Sequence, residues 1–287
     1  MDARGHAASA GRRARKRLAT GSVVVLAAAT ALAAAGTAEA AAPVRAGRGP
    51  LIGVHAPRTA FHDSQSNNWS GYNEGILDTG SPFTSISARW VVPTATQHTT
   101  GQAEDSATWI GIGGGCLSTT CRATDPTLVQ AGTDQDVSSN GTASYSAWWE
   151  ILPLPSVTAT IAVHPGDVID CSIAETVPGI WSISLEDKTD GQRFTETVPY
   201  VSTEDTAEWI EETPVVIGTG PAGVSALPDL STVSFSDATA NGADAALVPA
   251  DAIQLVGSNG SVLATPSAPA TGRAFNDCAR ATSCAAP

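Results

Sequence analysis

From Asn67 to Val256 the chain is written in short runs whose apolar residues recur at every second position, and no stretch sustains a helical period. Period two places successive side chains on opposite faces of a strand, so each run has one apolar face to bury. The candidate strands are 69–77, 85–92, 107–112, 127–131, 143–151, 158–163, 167–174, 181–187, 193–200, 207–211, 232–235 and 251–256. Asn140-Gly141, Pro165-Gly166 and Asp190-Gly191 supply turns, and Asp78-Thr79-Gly80 reads as a hairpin turn. Without helices to cover them, these strands must cover one another. The pattern predicts an all-β fold, an antiparallel β-sandwich of two sheets, as one domain over residues 67–287 with a C-terminal tail.

Two segments precede that body. Arg12, Arg13, Arg15, Lys16 and Arg17 lead into an alanine-rich apolar run from about Gly21 to Gly36, and Ala38-Glu39-Ala40 fits a small-x-small cleavage pattern. Residues 1–40 are therefore expected to be a secretory signal peptide and the protein to be secreted into the extracellular medium. No later run is apolar for long enough to span a bilayer. Residues 41–66 carry Arg45, Arg48 and Arg58 against Asp63 alone and show no sustained periodicity, as in a linker or a basic propeptide. Their sign, opposite to that of the body, favours a propeptide lying over an acidic cleft until low pH loosens it.

Beyond residue 40 the chain keeps 9 basic and 26 acidic residues, a net charge of −17, which excludes a nucleic-acid partner. Lys188 is its single lysine, so the surface loses negative charge as pH falls and gains little positive charge, which fits an acidic medium. Cys116 with Cys121 and Cys278 with Cys284 are close enough in sequence to pair. Cys171 alternates with Ile169 and Ile173 and reads as a buried hydrophobe, not a nucleophile.

Chemistry concentrates in Thr206-Ala-Glu-Trp-Ile-Glu-Glu212. Alternation puts Glu208 with Ile210 on one face and Trp209 with Glu211 on the other, so one carboxyl sits among apolar neighbours. Burial, together with Glu204, Asp205, Glu211 and Glu212, is expected to raise its pKa, which suits proton transfer in acid. The same alternation groups Trp109 with Gly111 and Gly113, Leu128 with Gln130, and Trp148 with Glu150. If those faces belong to one curved sheet, they line a groove holding Gln130, Glu150 and Glu208 among tryptophans, the composition of a polymer-binding cleft.

Asn68-Trp-Ser-Gly-Tyr72, Trp109-Ile-Gly-Ile-Gly113, Leu128-Val-Gln-Ala-Gly132, Tyr145-Ser-Ala-Trp-Trp-Glu150, Asp190-Gly-Gln192 and Ala207-Glu-Trp-Ile210 resemble, in that order, the motifs of the eqolisins, the glutamic endopeptidases. The resemblance implies two antiparallel seven-stranded sheets packed as in the legume lectins, and a catalytic pair at Gln130 and Glu208. It also implies substrate contacts at Trp109, Asp134, Trp148 and Glu150, and an added oxyanion donor from the backbone near Gly71. Gly113 falls where fungal members carry aspartate, and Ser70 replaces a glycine. In this reading Glu208 takes a proton from water and returns it to the leaving nitrogen, while Gln130 orients the water and steadies the oxyanion. The protein is then expected to need no metal or cofactor, to act on protein or peptide substrates, and to be a monomer.

Competing chemistries lack parts. Asp78-Thr-Gly-Ser81 matches one loop of a pepsin-type peptidase, but that mechanism needs two and no second follows. There is no Gly-x-Ser-x-Gly, no His-Glu-x-x-His and no Cys/His cluster, and the histidines fall in polar or turn contexts. A lectin-like carbohydrate-binding module and a glycoside hydrolase using Glu150 with Glu208 remain as alternatives, the latter needing its carboxyls roughly 5 to 9.5 Å apart.

Overall fold

The structure is a computed structural model and describes residues 52–217 and 223–287. The expected signal peptide and the start of the expected propeptide lie outside the described residues. In chain order the principal strands are β1 (Trp69–Gly75), β2 (Ser85–Val91), β3 (Ala107–Gly113), β4 (Leu128–Val137), β5 (Ala143–Ile151), β6 (Val157–Thr158) and β7 (Val168–Val177). They continue with β8 (Ile180–Asp187), β9 (Arg193–Pro199), β10 (Thr206–Glu212), β11 (Val233–Ala240), β12 (Ala252–Val256), β13 (Val262–Pro266) and β14 (Phe275–Ala279).

The first sheet runs β12-β1-β10-β3-β4-β5-β6, with every pairing antiparallel. The second runs β9-β8-β7-β2-β11-β14-β13-β12, again antiparallel throughout. Strand β12 belongs to both. Ala252 and Ile253 pair with β1, and Leu255 and Val256 pair with β13, so the two layers are stitched along one edge.

Between the layers the first sheet contributes Tyr72, Ile110, Ile112, Val129, Ala131 and Trp209, and the second contributes Ile86, Trp90, Ile169, Ile173, Trp181, Phe235 and Phe275. Two indoles also bridge the layers by hydrogen bonds. Trp209 donates to the Ser87 carbonyl at 3.1 Å and Trp90 donates to Thr133 Oγ1 at 3.1 Å. Left unpaired in the core, each donor would cost about 1–3 kcal/mol. Cys171 is buried here as expected, and Cys116–Cys121 and Cys278–Cys284 are disulfides.

Three local expectations change. Asp78 to Gly80 is not a hairpin: Ile76–Thr79 form one helical turn closed by Gly80 at φ 75°, because this connection carries the chain from the first sheet to the second. In 158–163 the alternation reports burial without pairing. Ala159, Ile161 and Val163 enter the core, but the ladder to β5 covers Val157 and Thr158 and ends with Ala159 N–H donating to the Ala147 carbonyl at 2.8 Å. The last seventy residues are integral to the sandwich, through β11 to β14. Strands β13 and β14 are short and rich in Ala, Asn and Asp, so their period is faint in the sequence.

Candidate active site

Register builds the site. Glu208 on β10 pairs with Asn73 on β1 and with Gly111 on β3, Gly111 pairs with Gln130 on β4, and Gln130 pairs with Glu150 on β5. These five residues form one row across five strands on the face turned away from the core. The next row carries Gly71, Ile210, Trp109, Gly132 and Trp148, and the one after it Trp69, Glu212, Ala107 and Asp134. The alternation read from sequence therefore does bring Gln130, Glu150 and Glu208 onto one face with Trp109 and Trp148.

Gly111 is the centre of that row. Adjacent strands are about 4.8 Å apart, so the backbones of Gln130 and Glu208 lie about 10 Å apart across a residue with no side chain. A Cβ at Gly111 would fall 3.2 Å from Gln130 Cβ and 3.0 Å from the Trp109 ring. Gln130 and Glu208 are fully buried. Gln130 Nε2 donates to Glu150 Oε2 at 2.8 Å and to the His55 carbonyl at 3.2 Å, leaving Gln130 Oε1 without a partner; both Glu208 oxygens are likewise unpartnered. Buried polar atoms are seldom left this way outside functional sites. A Cβ on Gly115 would strike Glu208 Oε1 and Asn73 Oδ1, so the Glu208 carboxyl lies against Gly115 beside Asn73.

Burial raises the Glu208 pKa well above the ordinary 4.5. The carboxylates that add to it are Asp125 and Glu74, from distant segments, not the sequence neighbours expected to do so. Glu211 faces the core and bonds Thr108 at 2.6 Å. Glu150 is lifted to about 7 by burial, which the charge on His55 opposes.

A strap covers this face. His55 lies flat on Trp148, ring centroids 3.6 Å apart and planes 4° from parallel. Its Nδ1 stands 3.3 Å from Glu212 Oε2 and its Nε2 3.4 Å from Asp134 Oδ1. Ala56 N–H donates to Glu212 Oε1 at 3.3 Å, Trp69 Nε1 and Asn68 Nδ2 donate to the Ala56 carbonyl, and Arg58 N–H donates to the Gly114 carbonyl at 3.0 Å. Burial disfavours the imidazolium, yet Asp134, Glu212 and Glu150 outweigh it and lift His55 to about 9. Burial lowers Arg58 to about 10 against the pull of Asp63 and Glu208.

His55, Glu212, Asn73 and Trp69 are thus site residues that the sequence reading passed over. Alternation could have found three of them: Glu212 shares the face of Glu208, and Trp69 and Asn73 that of Gly71. Trp109 donates its Nε1 to Glu212 Oε2 at 2.9 Å and meets Trp69 edge-on at 4.9 Å. Gly71, at φ 134°, is hemmed in by β10: a Cβ there would strike the Trp209 carbonyl, so its lack of a side chain has a packing cause. Glu150 and Glu208 start three strands apart, about 14 Å between backbones, with the Gln130 amide bonded to Glu150 between them. That arrangement does not suit a glycosidase pair.

Residues 67–273 match the Peptidase A4 family. Aspergillopepsin-2 of Aspergillus niger is 28% identical over 225 residues, which cover 70% of this chain and 74% of that protein. Scytalidopepsin B of Scytalidium lignicola is 32% identical over 132 residues, 46% of this chain and 44% of its own length. Among solved structures, scytalido-glutamic peptidase bound to a peptide-based transition-state analogue superposes with a TM-score of 0.57 at 24% identity, covering 74% of this chain and 98% of that one. Aspergilloglutamic peptidase from Aspergillus niger gives 0.50 at 27% identity, over 61% and 99% of the two chains. The family match spans both halves of the row and most of the sandwich that carries it; the chain belongs to the peptidase A4 family, the eqolisins, and is a peptide hydrolase of the glutamic class.

Proposed function

We propose that the protein is a secreted, acid-acting endopeptidase in which Gln130 and Glu208 activate water directly. The observation that carries this reading is that Gln130 and Glu208, both fully buried and register partners of Gly111 from either side, keep three oxygens without hydrogen-bond partners. A water there donates one proton to Glu208 and the other to Gln130 Oε1, leaving its lone pair aimed at a peptide carbonyl. Glu208 accepts the first proton as the carbon–oxygen bond forms and passes it to the leaving nitrogen. Gln130 Nε2, which holds the His55 carbonyl, is the donor for the developing oxyanion.

Acid dependence follows from charge around the gap. Burial under the strap keeps Glu208 protonated; displacing the strap hydrates the carboxyl and returns it toward 4.5, so the ionised base is populated in mild acid. Glu150 at about 7, and Asp134, raised by burial, are neutral in acid, so the oxyanion develops without nearby negative charge. The same protonations remove two of the carboxylates that face His55 while His55 stays charged, which loosens the strap. In this reading residues 41–66 act as a propeptide and residues 1–40 as the export signal.

The test is a pH–rate profile of the exported chain on a denatured protein, with N-terminal sequencing after acid exposure. Activity and loss of the N-terminal segment should appear together as pH drops below about 6. Full activity at pH 7 with the strap intact would contradict the proposal.

A further inference from the structure

The strap shows how a peptide residue is read by the cleft. His55 gives its backbone carbonyl to Gln130 Nε2 and, from the same residue, its ring to a pocket whose wall is Trp148 and whose rim is Asp134, Glu150 and Glu212. Glu150 and Glu212 are fully buried, and Glu150 Oε1 and Asp134 Oδ1 have no hydrogen-bond partner. An apolar side chain would leave these carboxyl oxygens unsatisfied; a flat cation would stack on the indole and meet them edge-on. Behind the imidazole a cavity of about 280 Å³ continues, lined by Asp105, Asp134, Asp136 and Ser156. It leaves room for a cation longer than histidine.

We infer that this pocket is a specificity subsite for a planar cationic side chain, imidazolium or guanidinium, on the residue that supplies the scissile carbonyl. The inference rests on the role proposed for Gln130, because the carbonyl held by that amide fixes which residue enters the pocket. Five carboxyl groups face the site, Asp105, Asp134, Asp136, Glu150 and Glu212, from the segment before β3 and from β4, β5 and β10. Burial raises Asp134, Asp136 and Glu150, so acid neutralises part of the rim. Stacking on Trp148 persists, so selectivity for the cation narrows as pH falls.

The experiment uses acid-activated protein and peptides that differ only at the residue before the cleaved bond: His, Arg, Gln or Leu. The pocket predicts kcat/KM about tenfold higher for Arg and His than for Gln and Leu at pH 5.5, and a smaller ratio at pH 3.5. Asp134→Asn and Trp148→Leu should each shrink the ratio. Equal kcat/KM for all four peptides, with cleavage that Gln130→Ala abolishes, would overturn the subsite and leave the water-activating pair standing. Cleavage that survives Gln130→Ala would overturn both. A second readout uses the unactivated full chain. His55→Arg should keep it latent at pH 7 and His55→Leu should not; latency retained in His55→Leu would also count against the pocket.

Discussion

Gln130 and Glu208 are both register partners of Gly111, one from each side, so two polar side chains flank a residue that has none. Gly111→Ala should leave the fold intact, because its Cβ meets only side-chain atoms, Leu128 Cδ1, the Trp109 ring and Gln130 Cβ, at 3.0–3.2 Å. Displacing Gln130 by a fraction of an ångström is expected to lower kcat by about 10–100-fold. Steady-state kinetics beside a melting curve check this, and unchanged kcat would mean the gap is not where the reaction occurs.

Gly71→Ala is the contrasting case. Its Cβ would strike backbone, the Trp209 carbonyl, from a φ of 134°. The strain falls on the β1–β10 ladder, and a loss of more than about 3 kcal/mol is expected. Denaturant melts measure it, and a loss below about 1 kcal/mol would show that the strands can part at that point.

The strap makes a prediction at neutral pH. His55 is held by Asp134, Glu212 and the face of Trp148, and His55→Ala removes all three contacts. The full chain carrying that change should cleave peptides at pH 6–7 at least about tenfold faster than wild type. An unchanged neutral-pH rate would show that the strap does not limit access.

Stability should fall as pH rises, the reverse of most neutral proteins. Asp277 is buried between the layers with Ser70 as its partner at 2.6 Å, and burial lifts it from 3.8 to about 7; Glu211 is raised well above 4.5 by the same cause. An acid whose folded pKa is raised favours the folded state only while protonated. Stability is therefore full below about pH 4 and is lost as pH climbs from the unfolded value toward 7. For Asp277 alone the change is on the order of 4 kcal/mol. Melting temperatures from pH 4 to 7.5 should decline, and Asp277→Asn should flatten the slope. A melting temperature that rises over that range would contradict the account.

Much of this is legible in the chain because period two carries both burial and register. The alternation at 207–212, 128–130 and 148–150 sets Glu208, Gln130 and Glu150 each on the non-aliphatic side of its own strand, and the pairing of β10, β3, β4 and β5 joins those sides into one face. What alternation cannot supply is the environment made by distant segments. His55 lies in a polar, aperiodic stretch, and its burial comes from Trp148, Asp134 and Glu212 on three other strands. Glu211 neighbours Glu208 in sequence but faces the core, whereas Asp125 and Glu74 act on Glu208 from afar. Asp78 to Gly80 has turn composition, and only the placement of β1 and β2 in different sheets shows that it is a crossover.

The central claim is that one amide and one carboxyl, sharing a water, carry the hydrolysis. The direct measurement is kcat/KM on a denatured protein at about pH 3.5–4 for wild type, Gln130→Ala and Glu208→Gln, with near-ultraviolet circular dichroism to confirm folding. Both variants should fold and lose at least about 10³-fold in rate. Cleavage within tenfold of wild type in either folded variant would contradict the mechanism.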